Sequence, residues 1–206
     1  MARDNDLILT GADTARYDHL FAPDTPAAIR LLYGVRYPRA LAHYGAGRLL
    51  LHGQLVLVLD GANSLDVYRL SRMIRAAGQP PETFLARLLV SRAFTCHQMA
   101  ELVVGSLGPA IAETGSRFVI CLDILNTFYD EDVAMPEVTY LLNQMIGKLT
   151  SLARAGTIFV VTASEPLPGV RVRMALLDRL KAMAHLVCRV VQKPGGPALA
   201  LEKVGR

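Results

Sequence analysis

Residues 28–41 read AIRLLYGVRYPRAL, and this stretch decides the fold class. Residues 29–33 are typical of a strand, Gly34 opens a tight loop, and residues 40–52 have the spacing of a helix. A strand, a loop and a helix in this order form the position at which an α/β nucleotide-binding protein holds phosphate. The stretch therefore predicts an α/β fold, and the residues of the loop decide whether it can bind phosphate.

A phosphate-binding loop reads G-x-x-x-x-G-K-[ST]. Its glycines let backbone N–H groups approach phosphate, the lysine reaches the outer phosphates, and the hydroxyl holds Mg²⁺. Aligned on Gly34, this chain keeps only the first glycine, and Pro38 removes one N–H donor. Arg39 replaces the second glycine, while Ala40 and Leu41 replace the lysine and the hydroxyl residue. The loop has the position of a phosphate-binding loop without its chemistry.

Strand and helix patterns alternate along the rest of the chain. Continuous apolar runs such as residues 54–60 and 118–123 are typical of strands covered on both faces, as in a parallel sheet. The apolar spacing over residues 136–155 predicts the clearest helix. The pattern predicts an α/β protein with a mainly parallel central sheet. Further strands are predicted at 88–93 and 157–162, and a closing hairpin at 186–192 and 198–204. Further helices are predicted at 64–77 with Ser64 as the N-cap, from Thr95 with the spacing of a capping box, and at 169–183.

Composition sets the broad class. The chain has 206 residues, of which 52% are hydrophobic and 19% charged, and we expect one domain over residues 1–206 with residues 1–6 disordered. A net charge of +4 is compatible with nucleic acid but is no argument for it. Cys96, Cys121 and Cys188 form no CxxC pair and are expected to be reduced core thiols in a cytoplasmic protein. No apolar run reaches the roughly 18 residues of a membrane span.

Several local strings, in their order and spacing, resemble one family. The residues are LVLDGANSLDVYRL at 57–70, SRAFTCHQ at 91–98, Asp123 after the strand at 118–123, and the segment 185–196. Together they resemble the ATPase core of RecA-like recombinases, and most closely its eukaryotic and archaeal branch with its paralogues. The resemblance covers residues 7–206 and implies a three-layer αβα P-loop fold with a C-terminal hairpin.

The departures from the family pattern imply that the chain is no ATPase. The family's hydrolytic glutamate falls at Ala62, and Asp123 alone remains, at the Walker B position. Phosphoryl transfer depends on positioned phosphate, metal and water, and three of the required side chains are absent. No catalytic residue, cofactor or metal is therefore expected, and Asp123 is interpreted as a polar strand-end residue. The vestigial nucleotide site consists of Gly34, Arg39, Ala40, Leu41, Ala62 and Asp123.

The family's second DNA-contacting loop falls at residues 164–169, before a basic helix. Arg171, Arg173, Arg179 and Lys181 are the predicted phosphate contacts, with a solvated helix face as the alternative. Arg36 and Arg39 have two interpretations, as ligands of an anion or a partner carboxylate and as plain surface-loop residues.

The resemblance implies a non-catalytic recombinase paralogue in DNA recombination or repair. Its expected partners are DNA, a RecA-family recombinase or a paralogue subunit, and we expect a homo- or hetero-oligomer. No membrane is expected as a partner. The expected location is the cytoplasm or, if the protein is bound to DNA, the nucleoid or nucleus. One alternative is a regulatory or scaffold protein without nucleic-acid binding. The other is an atypical ATPase, against which Ala40 and Ala62 argue.

Overall fold

The computed structural model describes residues 15–22, 29–35, 38–166, 173–193 and 196–204. The strands are β1 (Ile29–Gly34), β2 (Val56–Asp60), β3 (Leu88–Arg92), β4 (Phe118–Leu122), β5 (Ile158–Ser164), β6 (Leu186–Lys193) and β7 (Gly196–Val204). The helices are α1 (Pro38–Leu51), α2 (Val67–Ala76), α3 (Pro81–Leu85), α4 (Cys96–Glu101), α5 (Leu107–Thr114), α6 (Met135–Arg154) and α7 (Met174–Met183). A π-helical turn, Leu102–Ser106, joins α4 to α5, and 3-10 turns cover Ala15–Leu20 and Asn126–Tyr129.

The seven strands form one sheet in the order β3-β2-β4-β5-β1-β6-β7. All neighbouring pairs are parallel except β6 and β7, which run antiparallel as a hairpin. Every residue of β2 and β4 is buried, which explains why their sequences are continuous apolar runs. The predicted mainly parallel sheet and its C-terminal hairpin are confirmed.

Helices cover both faces of this sheet. Leu31 on β1 belongs to the core beneath α4–α7, whereas Leu32, its neighbour, belongs to the core beneath α1 and α2. Alternate residues of a strand point to opposite faces, so each strand contributes to both cores. The resulting arrangement is a three-layer α/β fold with its parallel strand ends at one edge.

Two glycines in α1 allow close packing. A Cβ at Gly45 would lie 1.9 Å from the Phe21 ring, and one at Gly47 would lie 2.6 Å from the Met73 side chain. Both glycines lower helix propensity. Here they let α1 approach the 3-10 turn and α2, so the helix predicted at 40–52 forms despite them.

The start of α2 differs from the sequence-based prediction. Asp66, rather than Ser64, is the N-cap, and its side chain accepts a hydrogen bond from the Arg69 amide. The Ser64 amide is already bound by Asp60, so Ser64 belongs to the preceding turn. Thr95 caps α4 as predicted.

Some predictions lie outside the described residues. These are the disorder of residues 1–6, the two interpretations of Arg36 and the start of the helix predicted at 169–183, which is described from Arg173. Within the described ranges, no helix is long and apolar enough to cross a membrane.

Candidate functional site

The described residues that were predicted to form a vestigial nucleotide site lie along the carboxyl edge of the sheet. Gly34 has φ +151°, and a Cβ there would lie 2.6 Å from the Val190 carbonyl oxygen. Glycine is thus required by the close approach of β6. Ala40 and Leu41 are buried in α1, with Leu41 in the core between α1 and the sheet. Both apolar side chains are packed against the protein, so neither presents a ligand to phosphate or to a metal ion.

Asp123 follows β4 and is fully buried. The Arg39 Nε donates a hydrogen bond to its Oδ2, and the Ser164 hydroxyl donates to its Oδ1 at 3.1 Å. The Asp123 amide donates to the Thr162 hydroxyl at 2.8 Å. Two separate elements, α1 and β5, therefore contact this residue at the end of β4. Arg39 therefore pairs with a carboxylate of its own chain and not with one from a partner. The sequence did not predict this ion pair because the two residues are 84 positions apart.

Asp60 ends β2 and is equally buried, but its ligands are local. Its carboxylate accepts hydrogen bonds from the backbone amides of Ala62 at 3.2 Å, Ser64 at 2.9 Å and Leu65 at 2.9 Å. Arg92, at the end of β3, lies 3.7 Å away through its Nε. Ala62, at the position of the family's hydrolytic glutamate, thus contributes its amide to a closed turn.

His43 connects the first turn of α1, which carries Arg39, to Asp66, which follows the turn closed by Asp60. Its Nε2 accepts a hydrogen bond from the Asp66 amide at 2.8 Å, so Nδ1 carries the proton and donates to the Arg39 carbonyl oxygen at 2.6 Å. Burial lowers the pKa of His43 below its ordinary value of 6.5. The neutral ring therefore holds the start of α1 against the start of α2.

The three described residues of the predicted DNA-contacting set do not form one surface, and the prediction for Arg173 is corrected. Arg173 is buried, and its two terminal nitrogens donate to the carbonyl oxygens of Phe128 and Val133, each at 2.7 Å. Its charge therefore supports the loop before α6 and does not reach the surface. Arg171 lies outside the described residues.

The other two basic residues of this segment have partners within the chain. Arg179 is exposed and donates to the Asn143 side chain at 3.1 Å. The Lys181 ammonium lies 4.0 Å from the centre of the Tyr33 ring and 3.8 Å from Glu202. Among the described members of the predicted set, Arg179 is the residue with an exposed side chain.

A second feature of the same edge is a cleft of about 620 Å³ at the ends of β2 and β3. Tyr68, Arg72 and Arg92 line it, and 83% of Tyr68 is exposed. Sequence reasoning passed over these residues. The available signal was an aromatic residue followed by arginines at positions four and seven along α2.

The cysteines and histidines offer little for catalysis. Cys96, Cys121 and Cys188 are buried free thiols, as predicted, and burial raises the pKa of Cys121 to about 12. Cys96 lies 3.6 Å from His97, whose other nitrogen is 2.8 Å from Glu137. Burial also raises the pKa of Cys96, so this thiol is a poor source of thiolate.

The described part of the chain holds no group of three or more His, Cys, Asp and Glu residues arranged for a metal ion. At the sheet edge, the described residues offer charge pairing between arginines and carboxylates, hydrogen bonding by hydroxyls, and an exposed aromatic ring. Comparisons with protein-family models and with curated proteins find no match for this chain.

Proposed function

We propose that the chain is a RecA-like protein that neither hydrolyses nor tightly binds ATP and acts in DNA recombination or repair by binding DNA, a recombinase-family partner, or both. The local strings that resemble the family support this proposal. The parallel sheet with a closing hairpin is compatible with it.

The ion pair between Arg39 and Asp123 carries the non-catalytic part of the proposal. A bound Mg²⁺ would need the Asp123 carboxylate, but a guanidinium from the phosphate-loop position already holds it. The Asp123 side chain is 1% exposed and the Arg39 side chain 41%, so Mg²⁺ would have to displace the guanidinium from a buried carboxylate. Ala40 and Leu41 provide no compensating phosphate or metal ligand.

The test of this part is equilibrium binding of a fluorescent ATP analogue with Mg²⁺, with an active RecA-family ATPase as positive control. We expect no saturable binding at micromolar nucleotide. Micromolar affinity in the wild type would overturn the proposal. Arg39→Ala is the informative variant, because binding that emerges only there would identify the guanidinium as the block.

The DNA part is tested by salt titration with single-stranded and duplex DNA. Phosphate contacts release counterions, so the affinity should fall steeply as salt rises. Absence of binding to both forms at low salt would remove DNA from the proposal and favour the regulatory or scaffold alternative.

The outer edge of the sheet favours a protein partner as a second candidate. Among the described strands β3 pairs only with β2, and Leu89 and Val90 on it are 42% and 39% exposed. An edge strand with exposed apolar side chains can pair with a strand from another chain. A subunit of similar fold, in a homo- or hetero-oligomer, is the partner proposed for this edge.

Sedimentation across a concentration series tests self-association through β3. We expect the wild type to associate and Val90→Lys to remain monomeric, because a lysine on the edge opposes strand pairing. Tyr140→Lys is the matched control, since Tyr140 is an exposed apolar residue on α6, 61% accessible. A monomeric wild type at high micromolar concentration would leave only a different chain as the partner.

A further inference from the structure

The exposed face of α2 combines an aromatic ring with a row of arginines. Tyr68, Arg72 and Arg75 follow one another at spacings of four and three, so they lie on one side of the helix. Leu70 and Ile74, on the opposite side, are fully buried against the sheet. The core therefore fixes the orientation of α2, and the three outward residues are held in a line.

Arg92 extends this row across the cleft. It stands at the end of β3, and its side chain is 44% exposed. Its Nε lies 3.7 Å from Asp60, whose carboxylate is already hydrogen-bonded within its own turn. The cleft of about 620 Å³ between Arg92 and the first turn of α2 is open to the same side as the Tyr68 ring.

Positive charge dominates this face. Among the described residues, no ion pair involves Arg72 or Arg75. Burial lowers the pKa of Arg69, the Asp66 carboxylate opposes this, and the nearby charge of Arg72 lowers it further. Asp66 also lines the cleft and caps α2, and its single negative charge is outnumbered by the charges of Arg72, Arg75 and Arg92.

We propose that Tyr68, Arg72, Arg75 and Arg92, here called the α2–β3 face, bind single-stranded nucleic acid. An exposed aromatic ring is a stacking platform for any base, and arginines beside it contact the phosphates between bases. A duplex keeps its base faces stacked inside, so this combination favours single strands. The inference rests on the proposed DNA-binding function and assigns it to a surface other than α7.

The test is fluorescence anisotropy with labelled oligothymidine, oligouridine and duplex DNA, each of about 16 nucleotides or base pairs. Tyr68→Ala should raise the Kd for the single strands roughly 5- to 150-fold, whereas Tyr68→Phe should retain binding. Arg72→Ala with Arg75→Ala should weaken binding and flatten the salt slope by about 1.4. Arg154→Ala is the matched control, because it removes an exposed arginine from the last turn of α6 and should leave the Kd unchanged.

The outcomes separate this inference from the function on which it rests. Single-strand binding that survives Tyr68→Ala and the double arginine variant would overturn the inference and leave DNA binding in place. No binding of any oligonucleotide by the wild type would overturn both. Equal affinity for duplex would contradict the stacking role of Tyr68, and tighter binding of a polyglutamate peptide would assign the face to an acidic protein. A preference for oligothymidine would identify the bound nucleic acid as DNA and a preference for oligouridine as RNA, and both agree with the proposal.

Discussion

Asp60 and Asp123 end two neighbouring parallel strands, and both are fully buried, yet they are held in different ways. Asp60 is bound mainly by backbone amides within five residues of itself. Asp123 is bound by side chains 84 and 41 positions away. The first aspartate stabilises a local turn, whereas the second joins α1, β4 and β5.

The two aspartates also differ in what surrounds them. Around Asp60 the chain closes its own turn but leaves an open cleft beside it. Around Asp123 the guanidinium of Arg39 pairs with the buried carboxylate. The corner around Asp123 is therefore closed by an ion pair, whereas the exposed arginines lie on α2 and at the end of β3.

The largest expected effect is at Asp60. Asp60→Ala would leave three backbone donors without their acceptor, and we expect it to lower the free energy of unfolding by about 3 kcal/mol. Urea unfolding followed by circular dichroism measures this loss. Asp66→Asn is the control, because it removes a neighbouring charge but keeps an N-cap side chain and should change stability by only a few tenths of a kcal/mol. Equal losses in the two variants would contradict the turn-closing role of Asp60.

A smaller effect is expected at the ion pair. Arg39→Ala leaves the Asp123 carboxylate buried without its cation, and we expect a loss of about 2 kcal/mol. Adding Asp123→Asn should recover about 1 kcal/mol, because an amide is not charged and asparagine tolerates a positive φ. The measurement is a double-mutant cycle of urea unfolding. Strict additivity of the two changes would show that the residues do not interact.

The same comparison explains how much the sequence could predict. The apolar runs at 54–60 and 118–123 predicted β2 and β4 because a strand buried on both faces has a continuous apolar sequence. The contact between Arg39 and Asp123 depends on which strands become neighbours, and no local pattern encodes that. The burial of Arg173 could not be predicted for the same reason, because its two acceptors lie 45 and 40 residues away. Sequence spacing located the basic residues of α7 but not their partners.

The pH dependence of stability tests the connection that His43 makes between the two sites. Its folded-state pKa is lowered by burial, so below the ordinary 6.5 the unfolded chain binds a proton that the folded chain does not. The free energy of unfolding should therefore fall as pH falls from 6.5 towards the lowered pKa. At most one proton is involved, which limits the slope to about 1.4 kcal/mol per pH unit.

Urea unfolding on both sides of pH 6.5 measures this contribution. His43→Gln should remove part of the pH slope seen in the wild type. His52→Gln is the matched control, because His52 is exposed just beyond α1 and its replacement leaves the His43 ring in place. Identical slopes in the wild type and His43→Gln would show that His43 does not stay neutral as the contacts require.

The smallest expected effect separates backbone conformation from charge. Asn63 and Asp123 both have positive φ, +49° and +43°, which alanine disfavours and glycine accepts. Asn63→Ala should cost about 1 kcal/mol and Asn63→Gly less than about 0.5 kcal/mol, measured by urea unfolding. At Asp123 both substitutions also remove the carboxylate, so both should be more costly, but alanine should still be worse than glycine by about 1 kcal/mol. If that difference is present at Asn63 and absent at Asp123, the left-handed conformation after β4 depends on the pair with Arg39 and not on the backbone of the strand end.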